Sequence, residues 1–261
     1  QESRGLGDVY KRQLAEEAGR CESLPAARGI LAESHELARN ALHHRADAQE
    51  LAAWYSRVVH GVVYSPAIDS PVRLTGPIAR GDGLPGLPVD YLGPANAELN
   101  ELLTSAGVEP RAVEDALIYR ADAGLTLPEE ASAALLRQAL GTQPPALQLV
   151  HGLPDPDAAV DIHNFLLAPL ASVARWAAPA LRPTADRLAI GTEKQLLTPA
   201  EGEALTLAWR TGLELYLRAW LNHAGTRRRR LADLPPLDRT AYGSACRTVS
   251  ATLQGIAARA S

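Results

Sequence analysis

The sequence is most informative at first through what it lacks. It has no Met, one Phe, two Cys and only two Lys among 261 residues. Cys21 and Cys246 lie far apart, without a CxxC spacing or a cluster of His around them, which argues against a disulfide framework and a zinc site. Arg, Asp, His or Pro interrupts every apolar run before the roughly 20 residues of a membrane-spanning helix. We therefore expect a soluble cytoplasmic protein without a membrane span.

Basic residues are slightly outnumbered by acidic ones, with 26 Lys and Arg against 30 Asp and Glu. The formal net charge is -4, which gives no overall attraction to nucleic acid, so we expect no nucleic-acid partner. A local basic run, Arg227 to Arg230, is interpreted as a solvated loop between helices, with a phosphate contact as the alternative. The apolar share of 46% suffices for ordinary globular cores.

The first residues stand apart from the rest of the chain. Residues 8–13 translate back to GAT GTG TAT AAG AGA CAG, which resembles the end of a transposon adapter used for sequencing libraries. Residues 1–13 are therefore interpreted as a non-native tail, with a natural flexible tail as the alternative. The lack of Met predicts that the chain begins inside its gene, and the abundance of Ala, Leu, Arg and Pro favours a bacterial origin.

Periodicity predicts an α+β fold with three parts. Apolar residues recur at helical spacing over Leu14 to Leu42 and Asp47 to Val63, so residues 14–63 are predicted to be helical. Residues 64–153 are predicted to form a small α/β domain. The chain becomes helical after Pro154, and residues 154–261 are predicted to form a helical domain, in which Thr198 to Glu201 has the features of a helix start.

The α/β part contains a strand, a Gly/Pro-rich loop and a second strand. The strands are predicted at Val72 to Thr75 and Val89 to Leu92, and helices are predicted at Ala95 to Ala106 and Pro128 to Leu140. A last strand is predicted at Ala146 to Val150. The stretch between Ala106 and Leu127 shows no clear pattern.

The loop between the two strands resembles the signature of the DNA-polymerase-beta type nucleotidyltransferases. In that signature a strand leads to Gly-Ser-x-Ala-Arg-Gly-(Asp/Glu), then Pro, then Ser-Asp-x-Asp on the next strand. The residues of this chain that match are Gly76, Ala79, Arg80, Gly81, Asp82, Pro85 and Asp90. The resemblance implies that Gly76, Arg80, Gly81 and Asp82 bind a nucleoside triphosphate, and that Asp90 is catalytic and binds Mg²⁺.

The chemistry of such a loop explains its residues. Glycines let the backbone approach a triphosphate, and two carboxylates at i and i+2 on a strand point to the same side and can share two magnesium ions. Here Pro77 replaces the Ser, and Leu87 and Pro88 replace the Ser-Asp. Only Asp90 of the carboxylate pair is left, so we expect weak or lost catalysis.

Two alternatives concern the acids of this loop. Members of the superfamily bring a third carboxylate from a later strand, and Asp161 is the candidate that follows the predicted strand at Ala146 to Val150. Capping of a helix is the other interpretation of Asp161. For the loop itself, the alternative is a hairpin without a ligand, in which Arg80 and Asp82 pair with each other.

The helical part carries a second resemblance. The segments Val160 to Leu170 and Val173 to Trp176 resemble the substrate-binding helical domain of bacterial proteins related to protein-PII uridylyltransferase. The resemblance implies transfer of a nucleotidyl group from UTP or ATP to a hydroxyl of a protein or small molecule, and a PII-like protein as a possible acceptor. Arg175 is a candidate for phosphate or acceptor contact, with pairing to an acid as the alternative.

Three functional hypotheses follow. The first is a degenerate nucleotidyltransferase that acts as a nucleotide-binding, regulatory or interaction module. The second is an active magnesium-dependent enzyme that has rebuilt its metal site from other acids. The third is a non-catalytic helical interaction scaffold.

Overall fold

The computed structural model describes residues 2–69, 72–146, 149–150, 153–222 and 229–260. The chain divides into two compact units, Gln1–Thr126 and Leu127–Ser261. Helices dominate both, and the described strands form one sheet of three strands and two of two strands. The predicted α+β class is confirmed at this level. The domain boundary predicted near Pro154 lies inside the second unit. The division of the chain into the predicted domains stays a prediction.

Three helices open the first unit: α1 (Glu2–Ala18), α2 (Leu24–His43) and α3 (Ala48–Val63). The single helix predicted over Leu14 to Leu42 was wrong, because the helix breaks after Ala18 and α2 starts anew behind the N-cap Ser23. Helix α3 begins where predicted, since the Asp47 carboxylate accepts hydrogen bonds from two backbone N–H groups of the first turn at 2.9 Å. It packs against α1 and α2 through the buried residues Leu51, Trp54, Tyr55, Val58, Val59 and Val62.

Helix α1 includes most of the segment that the sequence predicts to be a tail. The indole Nε1 of Trp54 donates to the carbonyl oxygen of Lys11 at 2.7 Å, and Leu14 is buried. The segment is thus helical from Glu2 onward, and its adapter origin stays a prediction.

A three-stranded sheet follows, made of β1 (Arg73–Leu74), β2 (Val89–Leu92) and β3 (Pro110–Val113). Strand β2 is central, antiparallel to β1 and parallel to β3. Helix α4 (Gly76–Arg80) lies between β1 and β2, α5 (Ala97–Ser105) connects β2 to β3, and α6 (Leu117–Asp122) comes after β3. The predicted strands and α5 are confirmed, whereas β3, α4 and α6 were not predicted.

The second unit starts with α7 (Ala131–Gly141) and the short strands β4 (Leu149–Val150), β5 (Leu153–Pro154) and β6 (Ala159–Val160). A π-helical turn (His163–Leu167) then leads into α8 (Ala168–Ala177) and α9 (Thr184–Glu193). The unit continues with α10 (Pro199–Leu221), β7 (Arg229–Arg230), a 3-10 turn (Leu231–Asp233) and α11 (Pro236–Ala260).

The core of the second unit lies where α10 packs on α11 and α8 packs on α9. Trp176 and Trp209 are buried there. The predicted start of α10 is confirmed, because Thr198 and Glu201 form a reciprocal capping box. In the part of the chain that the structure describes, no helix has the length and apolar character needed to cross a membrane.

Candidate functional site

The segment from Gly76 to Asp90 starts as a short helix and continues as a turn. The strands on either side of it pair antiparallel, as in the hairpin alternative. The backbone N–H of Thr75 donates to the carbonyl of Asp90 at 2.9 Å, which closes β1 onto β2. Helix α4 begins at Gly76 with φ +65° and is followed by Gly81 with φ +86°. Both values lie in the left-handed region that glycine adopts without strain, so two glycines of the signature have a clear backbone role.

Gly76 also lies against the Asp90 carboxylate. A Cβ atom added at Gly76 would lie 2.8 Å from Oδ2 of Asp90, which is closer than such atoms pack. Asp90 is 3% exposed. The sequence-predicted pair of Gly76 and Asp90 is therefore brought together, with the backbone of the loop in contact with the carboxylate.

The partner of Asp90 is an arginine. Nε of Arg111 donates to Oδ1 of Asp90 at 2.7 Å, and Nη2 donates to Oδ2 at 2.9 Å. The two residues are direct neighbours on the parallel strands β2 and β3, so their side chains leave the same face of the sheet. The hydrogen bonds from Arg111 to Asp90 raise the pKa of Arg111 above its ordinary value. This two-point pair is the best-defined polar feature of the site.

Arg80 and Asp82 form a second, fully buried ion cluster. Nε of Arg80 donates to Asp82 Oδ2 at 3.0 Å, and Nη1 donates to Asp122 Oδ2 at 2.6 Å. All three side chains are at most 5% exposed. Burial acts to lower the pKa of Arg80, but the carboxylates of Asp122 and Asp82 hold it above its ordinary value. The cluster ties α4 and its following turn to α6.

The pairing of Arg80 with Asp82 that the sequence left as an alternative is thus present. Both residues serve a packed cluster, and their predicted role in nucleotide binding stays a prediction. At the positions where this chain departs from the signature, Leu87 is buried at 7% exposure, while Pro77 and Pro88 are half-buried.

Asp161 and Arg175 belong to the second unit. The Asp161 carboxylate accepts from the backbone N–H of Asn164 at 2.9 Å and from its Nδ2 at 2.7 Å. This is the capping interpretation of Asp161. Arg175 is 8% exposed in α8, so it lies in a packed helix instead of on an open surface. Of the basic run, Arg227 and Arg228 lie outside the described residues.

The residues around Asp90 do not fit a magnesium site as they stand. Both oxygens of Asp90 accept hydrogen bonds from Arg111, so a divalent ion would compete with a guanidinium already in place. Within the described ranges, no group of three His, Cys, Asp or Glu side chains is arranged to hold a metal ion. Oxygen ligands are what Mg²⁺ requires, and here a guanidinium occupies both oxygens of Asp90.

The sequence did not predict two residues that pair with charges of the candidate site, Arg111 and Asp122. Both lie in the stretch that showed no clear pattern. A strand signal for β3 existed in principle, because Ala112 and Val113 follow a helix that follows a strand, which is the order of a parallel crossover. No local signal links either residue to Asp90 or Arg80.

Comparisons with known proteins add no relative. No protein-family model matches the chain, and neither a curated protein nor a solved structure shows significant similarity to it.

Proposed function

We propose that this chain is a non-catalytic protein of the DNA-polymerase-beta nucleotidyltransferase type, which acts as a nucleotide-binding regulatory or interaction module. The observation that carries the proposal is the pair formed by Asp90 and Arg111. Asp90 is the one acid of the signature's carboxylate pair that this chain retains, and its oxygens are 2.7 and 2.9 Å from guanidinium nitrogens.

Strand β3 strengthens the proposal. The resemblance implies a third acid from a later strand, for which the sequence offered Asp161, and the strand that pairs in parallel with β2 is β3. Its residue in register with Asp90 is Arg111. A positive side chain at this position compensates the Asp90 charge and repels a divalent cation. This positive charge and the substitutions at Pro77, Leu87 and Pro88 together account for the proposed loss of metal-dependent transfer.

A second candidate is the non-catalytic helical interaction scaffold. The buried cluster of Arg80, Asp82 and Asp122 favours it, because three charged groups at most 5% exposed hold the loop to α6 and offer no charge to a ligand. On this view the loop is retained for stability, and neither UTP nor ATP binds.

The test is a transfer and binding assay on the full chain. Labelled UTP and ATP are incubated with Mg²⁺, the chain and a bacterial extract that supplies acceptors such as a PII-like protein. We expect no transfer above that of an Asp90→Ala variant, and we expect nucleotide binding by calorimetry. Transfer that depends on Asp90 would overturn the proposal in favour of an active enzyme with a rebuilt metal site. Absence of nucleotide binding would favour the non-catalytic helical interaction scaffold.

The role of Arg111 in blocking the metal is tested by restoration. One variant carries Pro77→Ser, Leu87→Ser and Pro88→Asp, and a second carries the same changes plus Arg111→Asp. Mn²⁺ binding, followed by electron paramagnetic resonance, is expected only for the second variant. Equal Mn²⁺ binding by both variants would show that Arg111 does not block the metal.

A further inference from the structure

The guanidinium of Arg111 uses only part of its hydrogen-bonding capacity on Asp90. Nε and Nη2 donate to the two carboxylate oxygens at 2.7 and 2.9 Å. A guanidinium carries five N–H donors in one plane, so two donors on Nη1 and a second donor on Nη2 are left. Within the described ranges, no residue accepts a hydrogen bond from these three donors. We call the edge formed by Nη1 and Nη2 the outer edge of Arg111.

Arg111 is held firmly and is still accessible to solvent. Its side chain is 48% exposed, whereas the side chain of Asp90 that holds it is 4% exposed. Because two hydrogen bonds to a buried carboxylate already fix the guanidinium plane, little rotamer freedom is left to lose when a ligand binds. Arg111 is therefore a cation with its orientation set before a second anion arrives.

The charges around Arg111 permit a phosphate to approach. Asp90 and Arg111 together carry no net charge, so the carboxylate that would repel a phosphate is compensated. The other carboxylate that acts on the pKa of Arg111 is that of Glu109. Glu109 is exposed, so water and salt screen its charge. An anion at the outer edge thus meets three hydrogen-bond donors and no uncompensated buried acid.

We propose that the outer edge of Arg111 binds a phosphate group of the nucleotide, and that this binding needs no metal ion. The inference rests on the proposed nucleotide-binding function and names the cation that receives the phosphate. A guanidinium fork matches two oxygens of a phosphate. An Mg²⁺ ion carried by the nucleotide occupies phosphate oxygens and is repelled by the guanidinium. Mg²⁺ therefore lowers the affinity for the nucleotide or leaves it unchanged.

The first test measures the metal dependence of binding. ATP and UTP are titrated into the full chain by calorimetry, once with EDTA and once with excess Mg²⁺ at the same ionic strength. We expect binding with EDTA to be at least as tight as binding with Mg²⁺. Binding that requires Mg²⁺ would overturn this inference and leave the nucleotide-binding module standing. Absence of binding in both conditions would refute the module and this inference together.

The second test removes the guanidinium without leaving a buried charge unpaired. Asp90→Asn combined with Arg111→Gln keeps the net charge of the pair at zero, and should weaken nucleotide binding in EDTA by about tenfold, as expected for loss of charge-assisted hydrogen bonds. The matched control is Arg120→Gln, which breaks the 2.8 Å ion pair with Asp115 and should change the affinity by less than about twofold. Unchanged binding by the double variant with unchanged circular dichroism, or an equal loss in the control, would overturn the assignment.

A conservative change separates the fork from the charge. Arg111→Lys keeps a cation beside Asp90 but loses the planar pair of donors, so binding in EDTA should weaken by about threefold or more. Affinity equal to that of the unchanged chain would show that charge alone suffices, and would refute binding by the fork.

The source of the phosphate is identified with fragments of the nucleotide. Tripolyphosphate should bind more weakly than ATP or UTP and should lose its binding in the double variant. Adenosine and uridine, which have no phosphate, should show no dependence on Arg111. Tripolyphosphate binding as tight as that of the nucleotides would identify free polyphosphate as the ligand and overturn the nucleotide. Nucleoside binding that falls in the double variant would show that Arg111 contacts the base or sugar, against the proposal.

Discussion

Removal of the Asp122 carboxylate is the sharpest test of how the loop is held. In Asp122→Ala, the guanidinium of Arg80 loses its 2.6 Å partner and keeps Asp82 at 3.0 Å. Water cannot replace the lost carboxylate readily, because Arg80 is 5% exposed and Asp122 is 1% exposed. A charge left without a partner in such surroundings is what makes a broken buried ion pair costly.

The expected loss is about 3 kcal/mol, the low end of the roughly 3–5 kcal/mol seen when one partner of a buried pair is removed, because Asp82 still compensates Arg80. That is a large share of the about 5–15 kcal/mol that stabilises a domain. Arg80→Met combined with Asp122→Ala should cost less than the sum of the two single changes, by at least about 1 kcal/mol, because the charge that needed a partner is gone.

The assay is hydrogen exchange of peptides that cover α4 and α6, together with urea unfolding. Exchange reports the first unit directly and avoids treating a chain of two units as one two-state transition. The control is Asp115→Ala, which removes an ion pair of similar length, 2.8 Å, whose carboxylate is 62% exposed; about 0–1 kcal/mol is expected. Similar losses for Asp122→Ala and Asp115→Ala, or strict additivity with Arg80→Met, would refute the reasoning.

Three further predictions concern single positions. Gly76→Ala should lower the free energy of unfolding, measured in urea, by more than about 1 kcal/mol, since φ is +65° and the new methyl would meet Asp90. Gly29→Ala, where the methyl meets nothing within 4 Å, should be neutral or stabilising. Burial lowers the pKa of His35 below 6.5, so the unfolded chain binds more protons and the free energy of unfolding falls as the pH drops below about 6.5. A His35→Asn chain should show a smaller fall in the free energy of unfolding over this pH range. An unchanged pH profile in the variant would contradict this prediction. Thr198→Ala removes the 3.2 Å cap hydrogen bond of α10 and should cost about 1 kcal/mol, measured by thermal unfolding; a loss below about 0.3 kcal/mol would show that the cap is not needed.

Much of the helical architecture could be predicted because its causes are local. Asp47 and Thr198 each cap a helix through hydrogen bonds to backbone groups two or three residues away, and the strand β2 was predicted with its observed bounds. Helix α4 was missed because a helix of five residues that starts at a glycine is too short to show periodicity. The break after Ala18 was missed because the apolar spacing continues across it.

Only part of the candidate site could be predicted, for the same reason. Gly76 and Asp90 were identified by the loop's resemblance to the nucleotidyltransferase signature, and they lie close together. Arg111 and Asp122 were not, because they are 21 and 42 residues away from Asp90 and Arg80 in a stretch without clear periodicity. Whether Asp90 faces a metal or a guanidinium depends on which residue of β3 lies beside it.

The sequence by itself therefore determined the class of fold, the starts of α3 and α10, the loop and its missing signature residues, since those depend on side chains within a few positions of one another. The tertiary structure decided which charges meet. Register between β2 and β3 brings Arg111 to Asp90, and packing of α6 brings Asp122 to Arg80. Ion pairs act over a few ångströms in space, and distance along the chain does not constrain them.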